Sequence, residues 1–138
     1  MIIDANNMVL GRIASYAAKK ALLGNSIDII NCEKAIVIGK RKEILNMYKK
    51  RLKRGVHSKG PFLPRMPDRF MKRTIRGMLP YKTAKGRAVF KNIKCYINVP
   101  LKFKNEKIET VEDISISKIN AVDYVKVKDI CSSLGGNF

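Results

Sequence analysis

The sequence predicts an α/β fold whose strands run parallel. Three features predict it: a short apolar start, a helical repeat of apolar residues directly after it, and a second β-branched run that follows the helix after a two-residue turn. Strand, helix and strand in this order form a βαβ unit, which joins parallel strands by a right-handed crossover. At 138 residues the chain has an ordinary single-domain length, and we expect one domain over residues 1–138.

A strand, a turn and a helix are predicted first. Residues 1–4 are short and apolar, and the asparagines at 6–7 predict a turn that caps the next helix. From Leu10, apolar residues recur at helical spacing. They are Leu10, Ile13, Ala14, Ala17, Ala18 and Ala21. Because most are alanine, we expect this helix to lie close to a sheet, and Gly24 supplies a left-handed stop.

A second strand and a two-faced helix follow. Residues 26–31 are β-branched and compact, which is typical of a strand. Residues 35–38 fit either another short strand or the lead into the next helix, and both assignments stay open. Over residues 40–54 the apolar side chains fall within one arc of a helix, while lysines and arginines cover the opposite side.

A Gly- and Pro-rich segment at residues 55–67 interrupts the regular pattern and predicts an extended basic loop. Pro67 suits the first turn of another helix. In that helix four cations recur as one stripe, whereas Met71, Ile75 and Met78 face the other way.

The remaining elements are shorter. We predict a basic helix over residues 83–91, strands over 94–99 and 113–117, and a closing helix over 127–134. A basic extension of about residues 40–93 interrupts one domain instead of separating two, because strands are needed from both sides of it.

Positive charge is concentrated in the middle of the chain. The net charge is +18. Residues 40–107 carry 22 basic and 3 acidic residues, residues 1–39 carry 4 and 3, and residues 108–138 carry 3 and 5. Solubility alone requires a net charge of only ~2–8. A block of one sign repels itself and favours a polyanionic partner.

RNA is the favoured polyanion. The sequence has no helix-turn-helix, zinc-finger or basic-zipper pattern, and its cations span helices and a loop that can follow irregular folded RNA. His57, Phe62 and Tyr81 either stack on unpaired bases or simply pack. A membrane-surface role for the helix at 40–54 is disfavoured, because its apolar face lacks Trp and Phe.

Enzymatic and metal-binding alternatives have less support. Gly55 and Gly60 have the spacing of a phosphate-binding loop, but Pro61 and Phe62 follow where Lys and Ser or Thr are required. One histidine and three widely spaced cysteines build no zinc site. The runner-up is a nucleic-acid-processing enzyme that uses carboxylates and Mg²⁺. We predict no catalytic residue, metal or cofactor.

The compartment is predicted from what the sequence lacks. Few cysteines indicate a reducing environment, the start does not resemble a secretory signal, and no apolar stretch approaches the ~20 residues of a membrane span. We therefore expect a cytoplasmic protein without membrane contact.

Several segments resemble one known family. Residues 73–80, Arg-Thr-Ile-Arg-Gly-Met-Leu-Pro, look like the signature of the universal family of the thirteenth large-subunit ribosomal protein. Residues 82–88, Lys-Thr-Ala-Lys-Gly-Arg-Ala, resemble the segment that this family carries next. Residues 3–5 and 10–15 are similar to its opening, and residues 22–24 to the end of its first helix.

Other segments resemble one branch of the family. Residues 59–62 and 65–67 are similar to its archaeal and eukaryotic members, and the short end at 133–136 looks archaeal. Beyond Lys102 the resemblance thins.

The resemblance implies a three-layer α/β/α fold with a mainly parallel four-stranded sheet. It also implies a place in the large ribosomal subunit in the cytoplasm, binding to large-subunit ribosomal RNA beside neighbouring ribosomal proteins, and a role in subunit assembly. No cofactor or catalytic residue comes with it. A regulatory role away from the ribosome, as in some eukaryotic relatives, stays open.

Twelve residues are candidates for RNA binding. Those in the matched motif are Arg73, Arg76, Lys82, Lys85 and Arg87. Those assigned from charge and helix face are Lys49, Arg51, Arg54, Lys59, Arg65, Arg69 and Lys72.

Overall fold

A computed structural model of the chain describes residues 1–56, 58–103, 106, 108–111, 114–119 and 122–138. The strands are β1 (Ile2–Asp4), β2 (Ile27–Ile30), β3 (Ile36–Ile38), β4 (Ile93–Cys95), β5 (Ile108–Glu109) and β6 (Tyr124–Lys126). The helices are α1 (Leu10–Leu22), α2 (Arg41–Leu52), α3 (Pro67–Arg76), α4 (Ala84–Lys91), α5 (Ile116–Ile119) and α6 (Val127–Ser133).

Four parallel strands form the central sheet, in the order β4-β2-β1-β5. Ile3 of β1 lies opposite Ile29 of β2, which in turn lies opposite Cys95 of β4. On the other edge, Ile3 lies opposite Glu109 of β5. The predicted βαβ unit is β1-α1-β2. The α/β class with a mainly parallel four-stranded sheet is confirmed, and it accords with the three-layer α/β/α architecture.

α1 packs closely because its inner face is small. All six residues that the helical spacing selected are buried. They belong to the same core cluster as Ile3 and Ile29 of the sheet. α1 ends where expected, with Gly24 at φ +96°. The predicted asparagine cap is wrong, because the residue before the helix is Val9 and no side chain caps it; Asn7 instead adopts φ 55° in the preceding turn.

α3 enters the same core. It begins at Pro67 and buries Met71 and Ile75, as the pattern predicted, and it also buries Phe70, which was not predicted. Met78 was placed on this face but lies beyond the end of the helix and is 42% exposed. The basic extension is therefore attached to the core through α3.

A second, two-stranded sheet settles the open assignment of residues 35–38. β3 pairs antiparallel with β6, so that Val37 lies opposite Val125. The segment is thus a strand and not the lead into α2. Neither β5 nor β6 was predicted.

Two predicted strands differ from the structure. The strand at 94–99 starts one residue earlier and ends at Cys95, because the chain leaves the ladder and turns through Asn98 at φ 55°. The strand at 113–117 is wrong: Asp113 lies outside the described residues, Ser115 makes one isolated bridge to Met8, and α5 follows.

Candidate RNA interface

The twelve predicted residues lie on α2, on the loop behind it, on α3, and from Lys82 to Arg87. Eleven are exposed and Lys72 is half-buried. Among the described residues, none of the twelve forms an ion pair with a carboxylate; the pair that is found joins Arg41 to Asp129, with 2.9 Å between Nη1 and Oδ2. Their charge is therefore available to a partner.

α2 holds its basic face outwards through a partly buried apolar arc. Ile44 is buried, and Leu45, Tyr48 and Leu52 are half-buried, as predicted. The Tyr48 ring meets the Phe70 ring of α3 edge to face, with 5.2 Å between centroids. Burial raises the pKa of the Tyr48 hydroxyl, and the charge of Arg51 opposes this rise. The Arg51 guanidinium lies 5.4 Å from the Tyr48 ring centroid.

The loop between α2 and α3 closes on itself before it extends. The amide of Gly60 donates to the carbonyl of Val56 at 2.9 Å. Gly55 has φ +87°, and a Cβ there would lie 1.9 Å from the carbonyl oxygen of Gly60, so this turn requires glycine. His57 lies outside the described residues. The predicted extended loop is thus a closed turn followed by an irregular run to Met66.

A cleft of about 600 Å³ separates this run from the outer face of α3. It is lined by Phe62, Leu63, Pro64, Arg65, Met66, Arg69, Lys72, Arg73, Arg76 and Phe90, and we call it the basic cleft. Nη1 of Arg73 donates to the carbonyl oxygen of Phe62 at 2.7 Å and so holds the loop to α3. Five of the predicted cations meet in this one concave site.

Three smaller clefts share lining residues with the basic cleft. One of about 330 Å³ joins Arg54 to Arg65, and another of about 270 Å³ joins Arg51 to Arg73. A third places Arg69 and Lys72 beside Lys94. Seven of the predicted residues are thus adjacent, and we call them the basic surface. They are Arg51, Arg54, Arg65, Arg69, Lys72, Arg73 and Arg76.

The other five predicted residues lie apart. Lys82 lines a small cleft of its own. The remaining four, which are absent from the five clefts described here, are Lys49, Lys59, Lys85 and Arg87.

The segment from Lys82 to Arg87 is tied to the end of α3. The Arg76 guanidinium lies 5.0 Å from the Tyr81 ring centroid. The Thr83 hydroxyl accepts from the amide of Gly86 at 3.1 Å and caps α4. A Cβ on Gly86 would lie 2.0 Å from the carbonyl oxygen of Pro80, so the two backbones touch.

Two residues of this region were not among the twelve. Phe90 lines the basic cleft, and the Nζ of Lys72 lies 5.1 Å from its ring centroid. Lys94 comes from β4 and reaches the cations of α3 because β4 packs against that helix. A single lysine in a strand gives no signal in sequence, since only the tertiary packing brings it to the helix.

Cations and aromatic rings also meet beside Lys94. The Nζ of Lys102 donates to the Tyr96 hydroxyl at 2.8 Å, and this bond raises the pKa of Lys102. The same Nζ lies 4.3 Å from the Phe103 ring centroid. This arrangement places a further exposed cation near the third cleft.

Cysteine and carboxylate side chains also occur elsewhere in the fold. Within the described ranges, no three His, Cys, Asp or Glu side chains are grouped so as to hold a metal ion. Cys32 and Cys131 are buried, and burial raises the pKa of the Cys131 thiol to about 12. No helix in the described part of the chain is long and apolar enough to cross a membrane.

Unpaired guanidinium and ammonium groups around a concave site, interleaved with aromatic rings, are suited to phosphate groups and bases. The planar guanidinium fork binds phosphate through two parallel hydrogen bonds. Aromatic rings stack on bases of any sequence. The chemistry of the basic surface is therefore that of nucleic-acid binding.

Comparison with known proteins gives one consistent result. The chain is 40% identical to the large ribosomal subunit protein uL13 of Methanosarcina barkeri, over 99% of both chains. It is 42% identical to that of Methanopyrus kandleri, over 97% of this chain and 86% of the relative. For the protein of Haloarcula marismortui the identity is 35%, over 99% of this chain and 92% of the relative.

A family model agrees with these relatives. The model described as Ribosomal protein L13 matches residues 1–102, which includes β1 to β4 and all of the basic surface. It ends where the resemblance of the motifs thins. All three relatives are archaeal, in agreement with the resemblance of residues 59–62 and 65–67 to archaeal and eukaryotic members. The chain belongs to the ribosomal protein L13 family.

Proposed function

We propose that this chain is a structural constituent of the large ribosomal subunit, that it binds large-subunit ribosomal RNA through the basic surface, and that it supports subunit assembly. Membership of a family of ribosomal proteins, which are not enzymes, supports the first part. It acts in the cytoplasm, within the large subunit and next to other ribosomal proteins.

The basic surface is the observation that supports RNA binding. Its seven cations form no ion pair with a described carboxylate, and five of them meet in the basic cleft. Phosphate groups of a folded RNA supply the missing negative charge, and contacts to phosphate position a protein without reading sequence. RNA shape then decides where the protein binds. The five outlying predicted cations extend the contact along the backbone.

We also propose that residues 1–138 act as one domain. The basic extension shares its core with the N-terminal unit, since Met71 and Ile75 of α3 belong to the same buried cluster as Ile13 of α1. A single cooperative unfolding transition, seen alike by near- and far-UV circular dichroism, is expected.

A salt titration of RNA binding tests the function. If 6–10 phosphates are contacted, affinity falls by roughly 10³–10⁵ between 50 and 200 mM salt. Filter binding of the purified protein to a large-subunit ribosomal RNA transcript measures this, and a flat response would contradict the proposal. Co-sedimentation of the tagged protein with large subunits in a sucrose gradient tests its place in the particle.

One incubation distinguishes the structural role from the enzymatic alternative. Labelled RNA mixed with the protein and Mg²⁺ remains intact if the role is structural. Cleavage that tracks with the purified protein would favour a nuclease.

A further inference from the structure

We propose that the basic cleft holds one unpaired nucleotide of the bound RNA, with its base stacked on the Phe62 ring and its phosphate bound by the cations of α3. This inference rests on the proposed function and narrows it, because it assigns the cleft to a bulged or looped nucleotide. The remainder of the basic surface binds backbone phosphates only.

The Phe62 ring is held in place and yet exposed. It is 72% exposed. One edge of the ring lies against the backbone of Gly60, since a Cβ there would be 3.1 Å from both Cδ2 and Cε2. The carbonyl of the same residue is fixed by Arg73 at 2.7 Å. A ring positioned in advance loses little conformational freedom when a base stacks on it.

The charge of the cleft requires an anion. Arg69, Lys72 and Arg73 line it together with Arg65 and Arg76, and none of these forms an ion pair within the described residues. Asp68, on the same helix, lines a neighbouring cleft instead. Like charges so close together repel, and a phosphate accepting bonds from two guanidinium groups removes that repulsion.

The second aromatic ring closes the apolar side of the cleft. Phe90 is half-buried and lines it, with the Nζ of Lys72 at 5.1 Å from the ring centroid. Leu63, Pro64 and Met66 complete this side. An apolar wall beside a group of cations matches a nucleotide, which has a flat, largely apolar base next to a charged phosphate.

The dimensions favour one nucleotide over a duplex. A volume of about 600 Å³ lies within the ~300–1,000 Å³ of small-ligand sites. The bases of an A-form duplex remain stacked inside it, and its major groove is too deep and narrow for side chains to reach them. A nucleotide that has left the stack can enter the cleft. The occupant is therefore unpaired.

Two RNA hairpins test the inference, and in each a non-nucleotide linker closes the stem, so that neither has a nucleotide loop. They have the same sequence, except that one carries a single bulged uridine. Filter binding of the full chain at one fixed salt concentration should show tighter binding of the bulged hairpin. Phe62→Ala should weaken binding of the bulged hairpin by about 5- to 150-fold, the range for loss of one stacked base, and leave the paired hairpin unchanged.

Matched variants separate stacking from general effects. Phe62→Tyr keeps a ring and should retain the preference for the bulge, whereas Phe62→Leu keeps an apolar side chain without a ring and should lose it. Leu101→Ala removes an apolar side chain that is 79% exposed and lies outside the cleft. This control should bind both hairpins like the unmodified protein.

A cross-link gives a second measurement. With 4-thiouridine at the bulge, irradiation should join the nucleotide to the peptide that contains Phe62. Equal binding of the two hairpins, or an equal loss for both in Phe62→Ala, would overturn the nucleotide site while salt-dependent RNA binding persists. In a separate titration, an affinity for both hairpins that did not fall between 50 and 200 mM salt would instead overturn the proposed function.

Discussion

α2 and α3 carry similar charge but are attached to the fold in different ways. α3 buries Pro67, Phe70, Met71 and Ile75. Of the residues of α2, all of which are described, Ile44 is the one that is buried. α3 also packs against α1, β4 and α6, whereas α2 packs mainly on α6 and β6 near the edge of the fold.

The difference teaches that anchoring, more than charge, decides how cations are arranged. The orientation of α3 is fixed by the core, and four of its cations therefore point into one cleft. On α2, the Arg51 guanidinium lies 5.4 Å from the Tyr48 ring centroid, but Lys49 and Lys50 are exposed and line none of the five clefts described above. The fold itself thus brings the cations of α3 together.

The largest expected effect is on RNA affinity, and it compares the charged faces of α2 and α3. One variant changes Arg69, Lys72, Arg73 and Arg76 to Gln, and its matched control changes Lys42, Lys49, Lys50 and Lys53, which are exposed and lie outside the basic surface, to Gln. Each removes four charges, which makes the salt slope shallower by up to about 4. We expect the α3 variant to lose at least about tenfold more affinity, because ordering one long side chain costs ~0.5–1.5 kcal/mol and Lys72, Arg73 and Arg76 already contact other groups of the fold.

Filter binding measures both variants, and circular dichroism should show unchanged helix content, since these side chains face away from the core. Equal losses of affinity would break the comparison. If the α3 variant unfolds, the four substituted side chains face the core and not the surface.

The second effect is on the free energy of unfolding, and it compares the apolar faces of α2 and α3. Ile75→Ala removes a fully buried side chain and should lower the free energy of unfolding by ~2–5 kcal/mol. Leu45→Ala on α2 removes a half-buried one and should lower it by about 1 kcal/mol. Urea denaturation measures both. A loss for Leu45→Ala as large as that for Ile75→Ala would mean that α2 is as firmly anchored as α3.

A third effect extends the comparison to α4, which is attached by a contact between backbones. Gly86→Ala places a Cβ 2.0 Å from the Pro80 carbonyl oxygen, so the backbone must shift, at about 1–3 kcal/mol. Gly77→Ala is the matched control, because its nearest neighbour would be an ordinary 3.5 Å away, at the Thr74 carbonyl oxygen. Urea midpoints should fall for the first variant only, and equal midpoints would contradict the close approach.

The smallest effect concerns the polar tether of α2. Arg41→Gln breaks the ion pair with Asp129. The side chain of Arg41 is 64% exposed and that of Asp129 is 37% exposed. Exposed pairs contribute ~0–1 kcal/mol, so the urea midpoint should change little. Lys42→Gln, at an exposed neighbouring position, is the control. A loss above about 2 kcal/mol relative to that control would reveal a much stronger attachment of α2.

The candidate site was predictable in its charge but not in its shape. Every one of the twelve cations could be selected from charge, helix face or motif. Which seven are adjacent depends on the loop that folds back on α3, and the bond from Arg73 to the Phe62 carbonyl closes that contact. Phe90 and Lys94 carry no distinguishing pattern, and only packing brings them to α3.

The fold shows the same division. α1, α3 and β2 follow from the period of their apolar residues, because one face of each is buried. β5 consists of two residues with exposed side chains, and it is a strand only because β1 offers a free edge. β3 and β6 lie far apart in the chain and become strands by pairing with each other.

By itself the sequence determined the α/β class, the βαβ start, the helices of the basic extension and the preference for a polyanion. These are local properties, set by the spacing of apolar side chains and by the sum of charges along the chain. The tertiary structure alone decided the edge strand β5, the second sheet and the grouping of seven cations on one surface. Each of these depends on contacts between residues distant in the chain, and such contacts leave no periodic trace in it.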